Sequence, residues 1–158
     1  MSRMLEEIRE QPETLERAIT GELRNVERLR KVFSKQRPRL VVMAARGTSD
    51  NAARFGRYLI EITTGIPVSL AAPSIATVYE APMDYRDTLV VGISQSGEST
   101  DVNCVLSRAR EQGAVTLGIT NEKRSSLAKL ADHVLLVHAR KERSVAATKT
   151  YTGQVLMM

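Results

Sequence analysis

The chain has 158 residues, the size of one globular domain, with 42% hydrophobic and 26% charged residues and a formal charge of +5. No apolar run approaches the roughly 20 residues of a membrane span and the first residues are polar, which excludes a helical membrane protein and a signal peptide and points to the cytoplasm. One cysteine, Cys104, excludes an internal disulfide, and with two histidines, His133 and His138, no metal-ligand cluster is readable, so neither a metal nor a cofactor is expected.

Residues 4–10 read as a short helix ended by Gln11-Pro12, because the residue before a proline avoids the helical region. A second helix runs from residue 12 or 13 to about residue 34. Its Leu15, Ala18, Ile19, Leu23, Val26, Leu29 and Phe33 recur at three- and four-residue steps, with Gly21 a weak point. These helices form an N-terminal segment, residues 1–38, ahead of a domain over residues 39–158. Arg24, Arg28, Arg30, Lys31, Lys35, Arg37 and Arg39 make this region basic, but Glu22 and Glu27 interrupt the cluster and Phe33 alone is aromatic. A solvated helix face is therefore read in preference to a nucleic-acid surface, and the positive field still favours an anionic substrate.

Residues 39–44 form the first strand, and the turn after it, 45–50, offers Ser49 or Asp50 as the cap of a helix over 51–63 that Gly65-Ile66-Pro67 ends. Residues 67–70 make a short second strand. Pro73 and Pro82 argue against a long helix in the polar stretch 72–86, which reads as irregular. The third strand, 88–93, is a run of apolar and β-branched residues of the kind buried on both faces of a parallel sheet. It breaks into a polar loop, 94–100, before a helix that ends at Gln112-Gly113, with Cys104 at helical spacing as a packing residue. Residues 114–119 are the fourth strand, 125–130 a short helix and 134–137 the fifth strand. A second small-residue polar loop, 142–149, leads into a last helical pattern. Strands alternating with helices predict an α/β fold, a three-layer sandwich with a five-stranded parallel sheet and helices on both faces, for which the order 2-1-3-4-5 is assumed.

In such a sheet the first and third strands are neighbours where the order reverses, and their C-terminal loops line the ligand crevice. Ser94, Ser96, Ser99 and Thr100 lie at a helix start, whose free N–H groups and partial positive charge suit an anion, most naturally a phosphate. Alternatively Ser99 or Thr100 only caps the helix and the other hydroxyls face water. Neither Gly-x-x-x-x-Gly-Lys-Ser/Thr nor Gly-x-Gly-x-x-Gly is present after a strand, so a compact phosphate ester fits better than a nucleotide. Arg46 either adds charge-assisted bonds to that phosphate or, as arginines in turns more often do, faces solvent or pairs with Asp50 or Glu98.

Three ordered stretches, Ala45-Arg46-Gly47-Thr48-Ser49, Ser94-Gln95-Ser96-Gly97-Glu98-Ser99 and Glu142-Arg143-Ser144-Val145-Ala146-Ala147-Thr148-Lys149, resemble the signatures of the sugar isomerase (SIS) domain. More narrowly they resemble the first SIS domain of glucosamine-6-phosphate synthases and of SIS-type glucosamine-6-phosphate deaminases, and the resemblance extends to the N-terminal segment. It implies a hexose phosphate as ligand. Ser94, Gln95, Ser96 and Ser99 would hold the phosphate, with Thr48 and Ser49 close to it or to the sugar, and Val145 and Ala147 would line the sugar end. Glu142 would lie near the sugar as a catalytic candidate that orients a hydroxyl, or else form a salt bridge to Arg143 or Lys149. Arginine at position 46 and alanine at 147 depart from the synthases, which commonly carry cysteine and serine there; the arginine is closer to the deaminases.

The resemblance further implies an aldose-ketose isomerase, aminotransferase or deaminase acting on glucosamine-6-phosphate or fructose-6-phosphate, with the acid-base groups in a second SIS domain. The apolar helical run at the C-terminus carries no capping signal, so a truncated chain with an exposed apolar surface, and hence a homodimer, is expected. A sugar-phosphate-sensing module without catalysis is the alternative, although the residues before the first strand look too few for a DNA-binding domain.

Overall fold

The computed structural model describes residues 2–144 and 146–158. Two helices, α1 (Arg3–Arg9) and α2 (Gln11–Lys35), lead into β1 (Leu40–Ala45), α3 (Thr48–Thr64), β2 (Val68–Leu70), α4 (Ser74–Thr77) and β3 (Thr88–Ile93). Then follow α5 (Thr100–Glu111), β4 (Val115–Thr120), α6 (Ser126–Leu130), β5 (His133–Leu136) and α7 (Lys149–Leu156). The strands form one all-parallel sheet, as the alternating pattern predicts, and their order, β2-β1-β3-β4-β5, is the one assumed from the sequence. Among the described residues no helix is long and apolar enough to cross a membrane.

Strand alternation sorts the core into two faces. Val41, Met43, Leu89, Val91, Ile93, Leu117 and Ile119 join one cluster with Leu29 of α2 and Ala53 of α3. Val42, Ala44 and Val90 join the other with Val102, Val105, Leu106 and Ala109 of α5 and Leu127 of α6, and half-buried Cys104 packs against it. All six residues of β3 are buried, as expected of a central strand covered on both sides. The first face is covered less completely. An apolar groove of about 760 Å³ runs between Ile19, Leu23 and Val26 of α2 and the end of α7 at Met157 and Met158.

Three boundaries differ from expectation. The helix after β1 begins at Thr48, so neither Ser49 nor Asp50 caps it; Gly47, at φ 58°, makes the turn and stands at its N-cap. The stretch read as irregular contains α4, four residues long, with Pro73 at its N-cap in helical geometry. Proline opposes a long helix there but is well suited to starting a short one. The family of Ser99 and Thr100 caps reduces to Ser99 by position alone, since its side chain makes no capping bond.

The two N-terminal helices are tied to the sheet by buried charge. Glu22 of α2 is 3% exposed and meets His138 Nε2 at 2.7 Å, while Arg17 Nε donates to the His138 carbonyl at 3.4 Å. Glu7 of α1 accepts the backbone N–H groups of Arg143 and Ser144 at 2.6 and 3.0 Å. Lys149, 2% exposed, sends its ammonium to Glu10 at 2.6 Å, with Glu7 at 3.9 Å. These contacts pin both ends of the 142–149 loop to α1. Burial pushes the Glu7 carboxyl up, but the neighbouring Ser144 side chain, the Arg143 and Ser144 amides and the Lys149 ammonium outweigh it and hold Glu7 below its ordinary value. Ser144 Oγ itself has no partner in hydrogen-bond geometry, so the two amides are the firm contacts.

Two outcomes follow from this packing. α7 rests on the chain after β5 through Gly153, where an added Cβ would lie 2.3 Å from Val137 Cγ1. Gly153→Ala overpacks a fully buried contact and should cost about 1–3 kcal/mol, read as a lowered urea midpoint at unchanged slope. For Glu7, a lowered folded value means that its stabilisation is fully present above the unfolded value near 4.5 and is lost as pH falls through the folded one. The stability gap between wild type and Glu7→Gln should therefore stay constant from neutral pH down to about 5.5 and shrink below about 4. A gap independent of pH would remove the carboxylate from this role.

Candidate anion-binding site

β1 and β3 lie side by side where the strand order reverses, and their C-terminal ends open into a crevice. A cavity of about 230 Å³ occupies it, lined by Arg46 after β1 with Thr48 and Ser49 at the start of α3, by Ile93 at the end of β3 with Ser94, Gln95, Ser96 and Ser99 of the loop that follows, and by Ala147 before α7 with Thr150 and Gln154 within it. Thr48, Ser49, Ser94, Gln95, Ser96, Ser99 and Ala147, all predicted from the sequence, are thus brought together. Val145 lies outside the described residues. Glu142 is not part of the lining.

Helix geometry gives the cavity its polarity. α3 begins at Thr48 and α5 at Thr100, and neither N-cap residue, Gly47 or Ser99, makes a side-chain capping bond. The first N–H groups of both helices have no intrahelical partner, and the helix dipoles add partial positive charge at the same place. At α7 the matching groups are already spoken for. Glu142 accepts from the backbone N–H groups of Thr148, Lys149 and Thr150 at 2.6, 3.0 and 3.2 Å and from Thr148 Oγ1 at 2.8 Å. Of the alternatives for Glu142, the salt bridge to Lys149 does not form: the carboxylate takes backbone amides, and the Lys149 ammonium goes to Glu10 at the end of α1.

Three hydroxyls are arranged as donors. Ser94 Oγ accepts from Gly97 N at 3.1 Å, Ser96 Oγ from Glu98 N at 3.2 Å, and Ser49 Oγ from Gln154 Nε2 at 3.0 Å. Each acceptance leaves the O–H free to donate elsewhere. Thr150 is fully buried, and its Oγ1 makes no hydrogen bond. Such orphans are rare in native proteins, and a polar ligand would satisfy one.

The second loop is braced from behind. The Gln95 carbonyl accepts from Asn121 N at 3.1 Å and Thr120 Oγ1 at 3.2 Å, and the Gly97 carbonyl from Leu127 N at 2.9 Å and Asn103 Nδ2 at 3.2 Å. Gly97 has φ 66°, and a Cβ on it would meet Ser125 Oγ at 2.1 Å, so glycine is required there both by conformation and by space. Glu98 turns away from the cavity to the start of α6, where Ser126 Oγ and N donate at 2.6 and 2.9 Å and hold its carboxyl below the ordinary value.

Arg46 pairs with neither Asp50 nor Glu98. Asp50 is taken by Arg54 at 2.9 Å, and Arg46 instead reaches across the crevice to Asp101 in the first turn of α5, donating from Nε and Nη2 to Oδ2 at 2.9 and 2.7 Å. With side chains 61% and 32% exposed, this pair contributes about 0–1 kcal/mol. Sequence reasoning missed Asp101, Thr150 and Gln154. For the last two the signal was available: Ala147, Thr150 and Gln154 recur at helical steps of three and four, which places them on one face.

Chemically, the cavity collects amide and hydroxyl donors and one guanidinium, and the described residues that line it include no carboxylate, imidazole or amine. Those donors suit anionic oxygen.

Comparison with known proteins agrees with this geometry. A family profile described as SIS domain matches residues 33–158. Glutamine–fructose-6-phosphate aminotransferase (isomerizing) of Aquifex aeolicus is 38% identical over 152 residues, covering 96% of this chain and 25% of that protein. Its counterpart from Gloeobacter violaceus is 41% identical over 160 residues, covering 97% and 26%. A candidate phosphosugar isomerase from Silicibacter pomeroyi superposes with a TM-score of 0.95 at 35% identity, over 98% of this chain and 47% of that one. The C-terminal domain of glucosamine-fructose-6-phosphate aminotransferase from Francisella tularensis gives 0.84 at 32%, over 98% and 44%. The chain thus spans about a quarter of the length of the curated relatives it matches. With the profile covering most of its length and the three signature loops meeting at one cavity, the chain belongs to the SIS domain family.

Proposed function

We propose that this chain binds a phosphosugar, holding the phosphate of a hexose 6-phosphate in the cavity between β1 and β3. The observation that carries this reading is the meeting of two helix N-termini without side-chain caps and three donor hydroxyls in about 230 Å³. That volume is below the ~300–1,000 Å³ of pockets that enclose a whole small molecule, which suits one end of a ligand. The sugar would extend toward the 142–149 loop. The names of the relatives support a fructose-6-phosphate or glucosamine-6-phosphate ligand.

The full reaction is then an aldose-ketose isomerisation coupled to gain or loss of an amino group, with this domain supplying a firm grip on the phosphate. Positioning of that kind is what lets acid-base groups act on C1 and C2. In this reading those groups come from a second SIS domain beyond the 158 residues. The catalytic role expected for Glu142 becomes a positioning one, since its carboxylate is occupied in starting α7 and setting Ala147, Thr150 and Gln154 against the ligand.

A homodimer is part of the proposal. Phe55, Tyr58, Leu59 and Ile62 are exposed along one side of α3 at three- and four-residue steps, the pattern of a helix awaiting a partner. A cytoplasmic setting fits a phosphorylated sugar as ligand.

Calorimetric titration of the chain with fructose-6-phosphate, glucosamine-6-phosphate and unphosphorylated glucosamine tests the site, and binding of the phosphorylated sugars alone is expected. Ser96→Ala should weaken that binding by roughly 1–3 kcal/mol, the worth of a hydrogen bond to a charged group. Equal binding of glucosamine and its phosphate would refute the reading. Sedimentation velocity should show a dimer that the double variant Tyr58→Glu/Ile62→Glu converts to monomer, and a wild-type monomer at micromolar concentration would remove the dimer.

A further inference from the structure

We infer that Arg46 is the counter-charge for the bound anion and that Asp101 is the residue that positions it, the two acting as one unit at the mouth of the cavity. The inference rests on the phosphosugar reading and extends it to the source of the site's charge. Among the described residues lining the cavity, Arg46 is the one charged side chain. Every other donor there is a neutral hydroxyl, an amide or a helix end, so a phosphate dianion meets a single full positive charge.

That charge is not free. Its Nε and Nη2 both point to Asp101 Oδ2, at 2.9 and 2.7 Å, which leaves Nη1 for another partner and holds the planar guanidinium beside the start of α5. The other nearby carboxylates are committed elsewhere, Asp50 to Arg54 and Glu98 to Ser126. Asp101 therefore has two opposite effects. With Arg46 in place it cancels part of the guanidinium charge and aims it at the crevice. Without Arg46 it becomes an unpaired negative charge in the first turn of the helix that receives the anion, close to Ser99. A guanidinium suits both partners, because its flat fork can face a carboxylate with one edge and a phosphate with another.

The consequence is that the two residues are not additive. Arg46→Ala should weaken fructose-6-phosphate binding more than tenfold, since it removes the attraction and uncovers a repulsion. Asp101→Asn alone both loosens the guanidinium and removes a competing negative charge, so it should weaken binding less than Arg46→Ala does. Placed in the Arg46→Ala background, the same Asp101→Asn change should recover fivefold or more of the lost affinity. Arg46→Lys, which restores a point charge without the fork, should fall between wild type and Arg46→Ala. Both side chains are at least partly solvent-exposed, so the variants are expected to fold, and far-ultraviolet circular dichroism checks that they do. The measurement is calorimetric titration of wild type, three single variants and the double variant with fructose-6-phosphate. Binding by Arg46→Ala within twofold of wild type overturns the role of Arg46. The same effect of Asp101→Asn in both backgrounds overturns the coupling. If the wild-type chain binds no phosphorylated sugar at all, the phosphosugar reading fails and this inference falls with it, an outcome distinct from the other two.

Discussion

A helix that begins without a side-chain cap leaves backbone N–H groups in need of an acceptor, and in this chain that need is concentrated in one place. α3 and α5 follow two neighbouring parallel strands, so the right-handed crossover geometry delivers both of their N-termini to the same edge of the sheet. Nothing in the α3 or α5 N-cap side chains quenches them. At α7, by contrast, Glu142 does so with both carboxylate oxygens. The difference between capped and uncapped helix starts is what turns a crevice common to all open parallel sheets into a site with a preferred charge.

A site made from backbone amides is only as well defined as the loop that carries them. The loop after β3 has its carbonyls tied to Asn121, Thr120, Leu127 and Asn103, while Glu98 is turned outward to cap α6. The bonds face away from the cavity, so they stiffen the loop without using up the groups that face the ligand. Gly97 is the one position where a side chain would collide with this scaffold. Ser94 and Ser96 then act as acceptors toward the loop's own backbone, which orients their O–H groups as donors. Rigidity and donor polarity come from the same set of contacts.

Much of this was legible beforehand because the signals were local. Apolar runs broken by polar loops located the strands and their alternation with helices made the sheet parallel, while the strand order was an assumption that the structure bears out. The loop hydroxyls and Ala147 gathered at one cavity because each sits next to a strand end or a helix start. What escaped was set by contacts between distant residues. The partner of Arg46 is Asp101, 55 positions away, while Glu98, only three residues before it, is turned to Ser126 and Asp50 is taken by Arg54; which carboxylate faces Arg46 is decided by where each side chain points, which spacing does not show. Glu142 reads from the sequence either as a catalytic candidate near the sugar or as an ion-pair partner of Arg143 or Lys149, and neither reading anticipates that three successive amides at a helix start take its carboxylate. The start of α3 was misplaced because glycine caps a helix by conformation and leaves no side-chain signature.

The first two helices would be easy to regard as an appendage, since the sheet and its crossovers are complete without them. The contacts argue otherwise. Glu7 holds the Arg143 and Ser144 amides, and Lys149, almost fully buried, is balanced by Glu10 and Glu7. Removing α1 together with Glu10 would leave that lysine as an uncompensated buried charge, an arrangement that costs several kcal/mol in proteins generally. It would also release the segment that sets Ala147, Thr150 and Gln154 against the cavity. The wall of the cavity opposite the two helix N-termini is therefore built on residues from the far end of the chain, and the N-terminal helices hold that wall in place as much as the loops do.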